Sequence, residues 1–269
     1  MTNIHPTAIV DQNAKLGNDV IIGAYSIIGA NVELEDHVNI MSHVCIDGHT
    51  KIGEGTTIYP FSVIGYAPPD LKYKGEDSRL VVGKNCVLRE HVTIHTGTAG
   101  DRMETTLGDN CLLMANAHVA HDCVLGNNVI MANCAALGGH VEVGDFAIIG
   151  GLAAVHQKVK IGAYSIIGGM SGVVGDVIPF GNVSGERASL SGLNVIGLKR
   201  RNIQNKQIIE MNKAYDDIFL KDGDLFANRL AEAENVYKDD EYVMKIVDFI
   251  KSSGNRLCKP NKEKESNAA

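Results

Sequence analysis

The sequence contains no tryptophan, and aromatic residues make up only 5% of its 269 residues. Large rings therefore cannot fill a core, and many aliphatic side chains in a regular arrangement must do so. No run of about 18 apolar residues occurs, so no membrane-spanning helix is predicted. The first residues also lack the charged and apolar regions of a signal peptide, so we expect a cytoplasmic protein without a transmembrane segment.

The sequence also lacks closely paired cysteines and an excess of positive charge. The six cysteines form no CxxC pair and have no zinc-like spacing, so they predict neither a disulfide framework nor a structural zinc site. The formal net charge is −7, and no basic sheet face interleaved with aromatic residues is present. We therefore do not expect a nucleic acid partner.

Aliphatic residues recur at every sixth position over most of the chain. A first run extends from Ile4 to Ile64, a short run covers 82–94, and a last run extends from Leu107 to Val173. A helix requires a period of 3.6 and an alternating strand a period of 2, so neither explains this spacing. A period of six is typical of a parallel β-helix, in which the aliphatic column points inward. Glycine often follows the aliphatic residue, and we expect it to supply tight backbone turns at the corners.

Chains with this repeat resemble the hexapeptide-repeat acyltransferases. That resemblance implies a left-handed parallel β-helix with three hexapeptides in each coil, so that residues 18 positions apart stack. The predicted fold class is mainly β, with a small α-helical C-terminal domain after the β-helix.

Two segments interrupt the repeat, and one change of period ends it. Residues 66–80 and 96–106 fall outside the six-residue spacing and predict projecting loops, which often carry function. The repeat ends near Pro179, and helical apolar spacing begins after Asn202. We predict a β-helix domain over residues 1–184 and an α-helical domain over residues 185–269.

Four histidines crowd three successive predicted coils: His118, His121, His140 and His156. An offset of 18 places Asp122 beneath His140. A histidine beside a carboxylate is a common general base, because the carboxylate orients the ring and stabilises its protonated form. Two alternatives stay open here: a zinc site built from His118-x-x-His121 and His140, and histidines that merely cover the surface.

Two further features suggest contacts beyond a single chain. Residues 113–154 carry few charges, which favours burial of these coils against another subunit. Lys199-Arg200-Arg201 is a dense basic patch. Arginine side chains would suit phosphate binding, and a solvated helix start is the alternative.

Several motifs together resemble one family, the acyl-ACP:UDP-N-acetylglucosamine O-acyltransferases of lipid A biosynthesis. The resemblance covers nearly the whole chain. The motifs are Asp70-Leu71-Lys72-Tyr73, Ala117-His118-Val119-Ala120-His121-Asp122, Gly138-Gly139-His140, Ala154-Val155-His156-Gln157 and Gly197-Leu198-Lys199-Arg200-Arg201.

This resemblance implies a cytoplasmic homotrimer with active sites in clefts between subunits. The implied reaction moves a 3-hydroxyacyl chain from acyl carrier protein to the glucosamine 3-hydroxyl of UDP-N-acetylglucosamine. Neither a cofactor nor a metal is implied, because the thioester donor is already activated.

The resemblance also implies roles for individual residues. His121 would be the general base, Asp122 would support it, and the Gly139 amide would stabilise the oxyanion. The implied substrate-binding residues are Asp70 and Lys72 for the sugar, His95, His118, His140, His156 and Gln157 along the cleft, Asn194, Arg200 and Arg201 for the nucleotide, and Gly169 for the acyl tail.

Three positions depart from the family pattern. Ile196 stands where glutamate is frequent, Pro69 where glutamine is common, and Thr96 where arginine is frequent. These departures leave open an alternative acceptor, the 3-amine of a UDP-diaminosugar. A zinc-dependent hydratase on the same fold is a second alternative function, of a different enzyme class.

Overall fold

Short parallel strands wind into a three-sided prism in the computed structural model, which describes residues 2–253 and 256–261. Each regular coil adds one strand to each of three sheets, named A, B and C in the order in which the chain visits them. Residues 18 positions apart pair within a sheet, as Ile22 does with Ile40. The stacking expected from the repeat is confirmed.

The strands are mostly two residues long. Sheet A consists of Asn3–Ile4, Ile21–Ile22, Asn39–Ile40, Thr57–Ile58, Val87–Leu88, Leu112–Leu113, Ile130–Met131, Ile148–Ile149, Ile166–Ile167, Gly181–Ser184 and Ser189–Leu193. Sheet B consists of Ile9–Val10, Ile27–Ile28, Cys45–Ile46, Val63–Tyr66, Thr93–His95, His118–Val119, Ala136–Leu137, Ala154–Val155 and Gly172–Val173. Sheet C consists of Lys15–Leu16, Glu33–Leu34, His49–Ile52, Arg79–Val82, Glu104–Leu107, Val124–Leu125, Glu142–Val143 and Lys160–Ile161. The last two strands of sheet A form an antiparallel hairpin.

The predicted aliphatic column forms the core of the prism. Ile40, Ile64 and Leu113 are fully buried, and a second inward column includes Val38 and Val129. Successive strand residues point to opposite faces, so each two-residue strand places one side chain inside and one outside. The aliphatic period therefore fixes which residues the prism displays.

Glycine has a different role from the one we expected. The left-handed backbone at the corners is adopted largely by other residues, such as Asp122 at φ 58° and His140 at φ 63°. Gly108, which follows the inward Leu107, has an ordinary φ. A Cβ placed on it would lie 2.6 Å from the carbonyl carbon of Gly126 on the next coil. The expectation of glycine at the corner turns is therefore wrong at this position, where glycine lets successive coils approach closely.

Both interruptions of the repeat leave the prism as loops. They cover residues 67–78 and 96–103, and both are shorter than the predicted 66–80 and 96–106. The difference arises because Arg79–Val82 and Glu104–Leu107 pair along their whole length in sheet C.

The three outer faces differ in charge. On sheet C, Lys51 forms ion pairs with Glu33 at 3.5 Å and Glu35 at 2.7 Å. The outward strand positions of sheets A and B, all within the described residues, carry no Asp, Glu, Lys or Arg; Ile148 and Ala136 are examples. Two adjacent faces are thus suited to contact with protein rather than water.

A small helical region packs on the last coils. It contains α1 (Val195–Arg200), α2 (Asn205–Tyr215), a π-helical segment (Asp216–Leu220), α3 (Phe226–Val236) and α4 (Glu241–Ser253). A stack of rings joins it to the prism, with Phe180 5.6 Å from Tyr164 and 5.9 Å from Tyr242 between centroids. Within the described part of the chain, no helix has the length and apolar character needed to cross a membrane.

The basic patch and the predicted domain boundary both lie near the start of this region. The basic patch lies at the C-terminal end of α1 rather than at a helix start, where the helix dipole favours positive charge. The division at residue 184 stays a prediction; it falls within the hairpin of sheet A, and residues 262–269 lie outside the described residues.

Neighbouring residues of one strand give a direct test of the inward column. Leu125 is 2% exposed, whereas Val124 points outward and is half-buried. We expect Leu125→Ala to lower the free energy of unfolding by about 2–5 kcal/mol, because the coil cannot close around the cavity. The matched Val124→Ala should cost less than about 1 kcal/mol. Equal shifts of the two urea midpoints would contradict the assignment of inward and outward faces.

Candidate active site

The corner between sheets B and C places side chains from successive coils above one another. This corner, named corner BC, is formed by residues 121–122, 139–140 and 157–158. His121 lies beneath Gly139, as the repeat predicts. A Cβ on Gly139 would lie 2.6 Å from Cε1 of His121, so glycine at this position leaves room for the imidazole ring in its present orientation.

His121 is held by its neighbour in the chain. Nδ1 of His121 lies 2.8 Å from Oδ2 of Asp122. Because an ionised carboxylate can only accept a hydrogen bond, Nδ1 carries the proton. The other ring nitrogen, Nε2, then has a free lone pair and can take up a proton.

Asp122 is a fully buried carboxylate. Burial opposes its ionisation, but hydrogen bonds from Thr98 and His121 outweigh that effect and hold the pKa of Asp122 below its usual value. The Thr98 N–H donates to Oδ1 at 2.9 Å, and the Thr98 hydroxyl donates to Oδ2 at 2.6 Å. A negative charge is therefore fixed beside His121 at neutral pH.

A second histidine–aspartate pair lies beside the first. The Nδ1 atom of His140 is 2.7 Å from Oδ2 of Asp101, and its ring meets the ring of His121 edge-on with centroids 4.9 Å apart. Sequence reasoning did not identify Asp101 or Thr98, because both lie in the 96–103 loop, where the six-residue spacing gives no information about position.

The 67–78 loop reaches the same corner. Oδ2 of Asp70 lies 4.0 Å from Nε2 of His121. A cavity of about 410 Å³ opens here, and Asp70, Lys72, His140 and Lys158 are among its lining residues. His121, Asp122, His140, Asp70 and Lys72 are thus brought together as expected.

His95 and His118 lie on sheet B, below this corner. Their ring centroids are 5.4 Å apart. His118 shares a hydrogen bond of 2.7 Å with the Thr93 hydroxyl, and Nδ1 of His95 donates to the Tyr66 carbonyl at 3.2 Å. Burial lowers the pKa of both histidines, so both rings are neutral near pH 7.

His156 and Gln157 lie one coil beyond Gly139, at the same corner. Both are exposed, and Nδ1 of His156 donates to the Gln157 carbonyl at 3.1 Å. Their side chains are therefore open to a ligand that extends along corner BC.

The remaining predicted site residues lie at other corners of the prism. Gly169 lies in the turn from sheet A to sheet B, named corner AB. At the turn from sheet C to sheet A, named corner CA, Asn194 donates to the Tyr164 carbonyl at 2.9 Å, and the Arg201 guanidinium lies 4.1 Å from the Phe146 ring centroid. Arg200 is exposed at the end of α1, next to Arg201. Within one chain, Gly169, Asn194, Arg200 and Arg201 therefore do not lie around His121.

The donor atoms at corner BC do not match the zinc alternative. Among the described residues, the group with ligand atoms within 4.8 Å of one another consists of His121, Asp122 and His140, without His118. Asp122 already accepts three hydrogen bonds, and Nδ1 of His121 and of His140 each bond to a carboxylate. The predicted set of three histidine ligands is therefore not assembled among the described residues.

Comparison with known protein families gives matches in both parts of the chain. A bacterial transferase hexapeptide family of six repeats matches residues 104–139. A family described as UDP N-acetylglucosamine O-acyltransferase, domain 2, matches residues 176–258.

Close relatives share one name. Proteins from Rickettsia canadensis (strain McKiel) and Azorhizobium caulinodans are named acyl-[acyl-carrier-protein]–UDP-N-acetylglucosamine O-acyltransferase. The first is 54% identical over 255 residues, covering 95% of this chain and 96% of the relative. The second is 52% identical over 260 residues, covering 96% of each.

Solved structures agree over the whole fold. A UDP-N-acetylglucosamine acyltransferase from Campylobacter jejuni matches with a TM-score of 0.90 at 36% identity, covering 97% of this chain and 100% of that one. The Francisella novicida enzyme of the same name matches with a TM-score of 0.93 at 31% identity, covering 98% and 96%. The predicted fold class, a left-handed parallel β-helix followed by a small helical region, is confirmed.

Proposed function

The chain belongs to the family of acyl-[acyl-carrier-protein]–UDP-N-acetylglucosamine O-acyltransferases, and we propose that it catalyses their reaction. It transfers a 3-hydroxyacyl chain from acyl carrier protein to the glucosamine 3-hydroxyl of UDP-N-acetylglucosamine, the first step of lipid A biosynthesis. The supporting observation within the site is the buried Asp122 carboxylate, which fixes Nδ1 of His121 and leaves Nε2 free as a base.

His121 carries out the proton transfers in this proposal. A sugar hydroxyl is a poor nucleophile at neutral pH and needs a positioned base. Nε2 of His121 removes the proton as the hydroxyl oxygen attacks the thioester carbonyl carbon. When the tetrahedral intermediate collapses, the carbon–sulfur bond breaks and the imidazolium returns the proton to the departing thiolate. The Asp122 carboxylate stabilises the imidazolium between these two steps.

Gly139 supplies the oxyanion donor. Its N–H donates to none of the described residues, whereas the N–H at the same position of another turn, that of Asn127, bonds to Oδ1 of Asp145 at 2.7 Å. A free backbone N–H directly above the base can stabilise the charge that develops on the thioester oxygen.

The polar groups around the cavity hold the acceptor sugar. Asp70 and Lys72 bind its hydroxyls from the 67–78 loop, and His140 faces them across the cavity. The remaining side chains line the approach along sheet B and corner BC: His95, His118, His156 and Gln157.

The complete site requires more than one copy of the chain. Asn194, Arg200 and Arg201 suit a uridine diphosphate, and Gly169 suits an acyl tail, but they lie at corners CA and AB. Packing of the uncharged A and B faces around a threefold axis would bring corners of neighbouring copies to the same cleft. We therefore propose a homotrimer whose clefts combine residues from adjacent subunits. Its substrates, an acyl carrier protein and a nucleotide sugar, place it in the cytoplasm.

The two alternative functions are not favoured. Relatives that are 52–54% identical are named O-acyltransferases, which supports a hydroxyl acceptor rather than the 3-amine of a UDP-diaminosugar. The shared name of these relatives, an acyltransferase, likewise disfavours the zinc-dependent hydratase.

The proposed base can be tested by substitution. With 3-hydroxyacyl-ACP and UDP-N-acetylglucosamine, the parent should form an O-acyl ester that mass spectrometry detects and mild base cleaves. His121→Ala should lower kcat by about 10²–10⁴-fold, the usual contribution of general acid–base catalysis. The matched His37→Ala removes an outward histidine at corner CA and should leave kcat unchanged.

Two results would contradict this account. An amide product would exclude the hydroxyl acceptor, and parental turnover by a correctly assembled His121→Ala variant would exclude His121 as the base.

The acyl tail can be tested at Gly169, which is exposed at corner AB. A Cβ there lies 3.3 Å from the Gly151 carbonyl oxygen, so a side chain fits after a small adjustment. Each methylene excluded from an apolar pocket loses about 0.8 kcal/mol, so excluding four of them costs about 3 kcal/mol and about two decades in kcat/KM. Gly169→Met should therefore prefer shorter donors in competition assays while it keeps activity on them. An unchanged donor ratio would assign chain length to another residue.

A further inference from the structure

Three residues of the 96–103 loop hold it against the prism. Thr98 donates two hydrogen bonds to Asp122, and Asp101 bonds to His140. Arg102 pairs with Glu142 on sheet C at 2.5 Å. The first two contacts reach the histidine–aspartate pairs of corner BC directly, whereas the third anchors the loop outside them.

Asp101, not Asp122, holds the ring of His140. Nδ1 of His140 lies 2.7 Å from Oδ2 of Asp101 and 3.8 Å from Oδ2 of Asp122. The first distance is that of a hydrogen bond and the second is not. As at His121, the carboxylate requires the proton on Nδ1, so Nε2 of His140 is the acceptor nitrogen.

The same Asp122 oxygen is within reach of both histidines. Oδ2 of Asp122 accepts the hydrogen bond from Nδ1 of His121 at 2.8 Å. Without Asp101, the carboxylate oxygen of the described residues that is nearest to Nδ1 of His140 is this one, about 0.6 Å beyond the upper end of the hydrogen-bond range. A small rotation of His140 would then place two imidazole donors on one oxygen and loosen the alignment of His121.

We propose that Asp101 is a positioning residue: it holds His140 away from Asp122, so that Asp122 orients His121 alone. Its effect on turnover rests on the function proposed above, whereas its effect on the ring of His140 does not. At metal sites, loss of the partner that orients a histidine ring typically costs about 10–100-fold in activity, and we expect an effect at the lower end of that range here.

Kinetics of matched variants test the proposal. Asp101→Ala should lower kcat about 10-fold with little change in KM for UDP-N-acetylglucosamine, because the loss falls on the alignment of the base. Asp101→Asn keeps an oxygen acceptor for Nδ1 and should recover most of that loss. Arg102→Gln removes the neighbouring anchor of the same loop and should leave kcat and KM unchanged.

A double-substitution cycle separates positioning from general damage to the loop. In a His140→Ala background, Asp101→Ala should have no further effect, because the ring that it restrains is gone. Independent, additive effects of the two substitutions would overturn the proposal, as would an Arg102→Gln loss equal to that of Asp101→Ala.

The tautomer of His140 gives a readout that needs no substrate. Imidazole ¹⁵N shifts should show the parent protonated at Nδ1 of His140 and Asp101→Ala as a mixture of tautomers. A mixture already present in the parent would overturn the proposal. An inactive parent with the expected tautomer would instead contradict the proposed function and leave the role of Asp101 in holding His140 supported.

Discussion

Close stacking of coils along a six-residue period is the constraint on which the rest of the structure depends. Two inward columns fill the prism with aliphatic side chains, and glycine at positions such as Gly108 lets one coil lie directly on the next. This geometry repeats the corners at a fixed spacing. It therefore places a side chain from one coil against the backbone of the next coil, as His121 lies against Gly139.

The site combines this rigid corner with two inserted loops. The β-helix alone supplies a histidine, a buried carboxylate and a backbone N–H that donates to none of the described residues, all in fixed relative positions. The loops add the groups that the repeat cannot supply: Asp70 beside Nε2 of His121, and Thr98 on the Asp122 carboxylate. The scaffold thus provides the proposed proton-transfer pair, and the insertions provide its surroundings.

The sequence predicts the features that depend on its six-residue period, but it does not predict the positions of residues in the inserted loops. The six-residue period predicts the fold, the inward columns and the stacking of Asp122 and His140 on adjacent coils. It could not place Thr98 or Asp101, because their positions depend on loop conformation rather than on spacing. It also misled us about glycine, since contact between coils, and not backbone φ, explains its position after the aliphatic residue at Gly108. The sequence also did not show that Gly169 and Arg201 lie at different corners from His121, because the period alone does not assign each residue to a corner of the prism.

The central claim is that one cleft uses corners from different copies of the chain, and mixed oligomers test it most directly. His121→Ala removes the proposed base at corner BC, and Arg201→Ala removes the proposed phosphate contact at corner CA. Each variant alone should be poorly active at low UDP-N-acetylglucosamine. When differently tagged copies are co-expressed and mixed trimers are purified, each trimer contains one cleft with both residues intact, which is about a third of the clefts. We predict recovery of about that fraction of parental turnover. Activity no higher than that of the two separate variants would contradict a shared site.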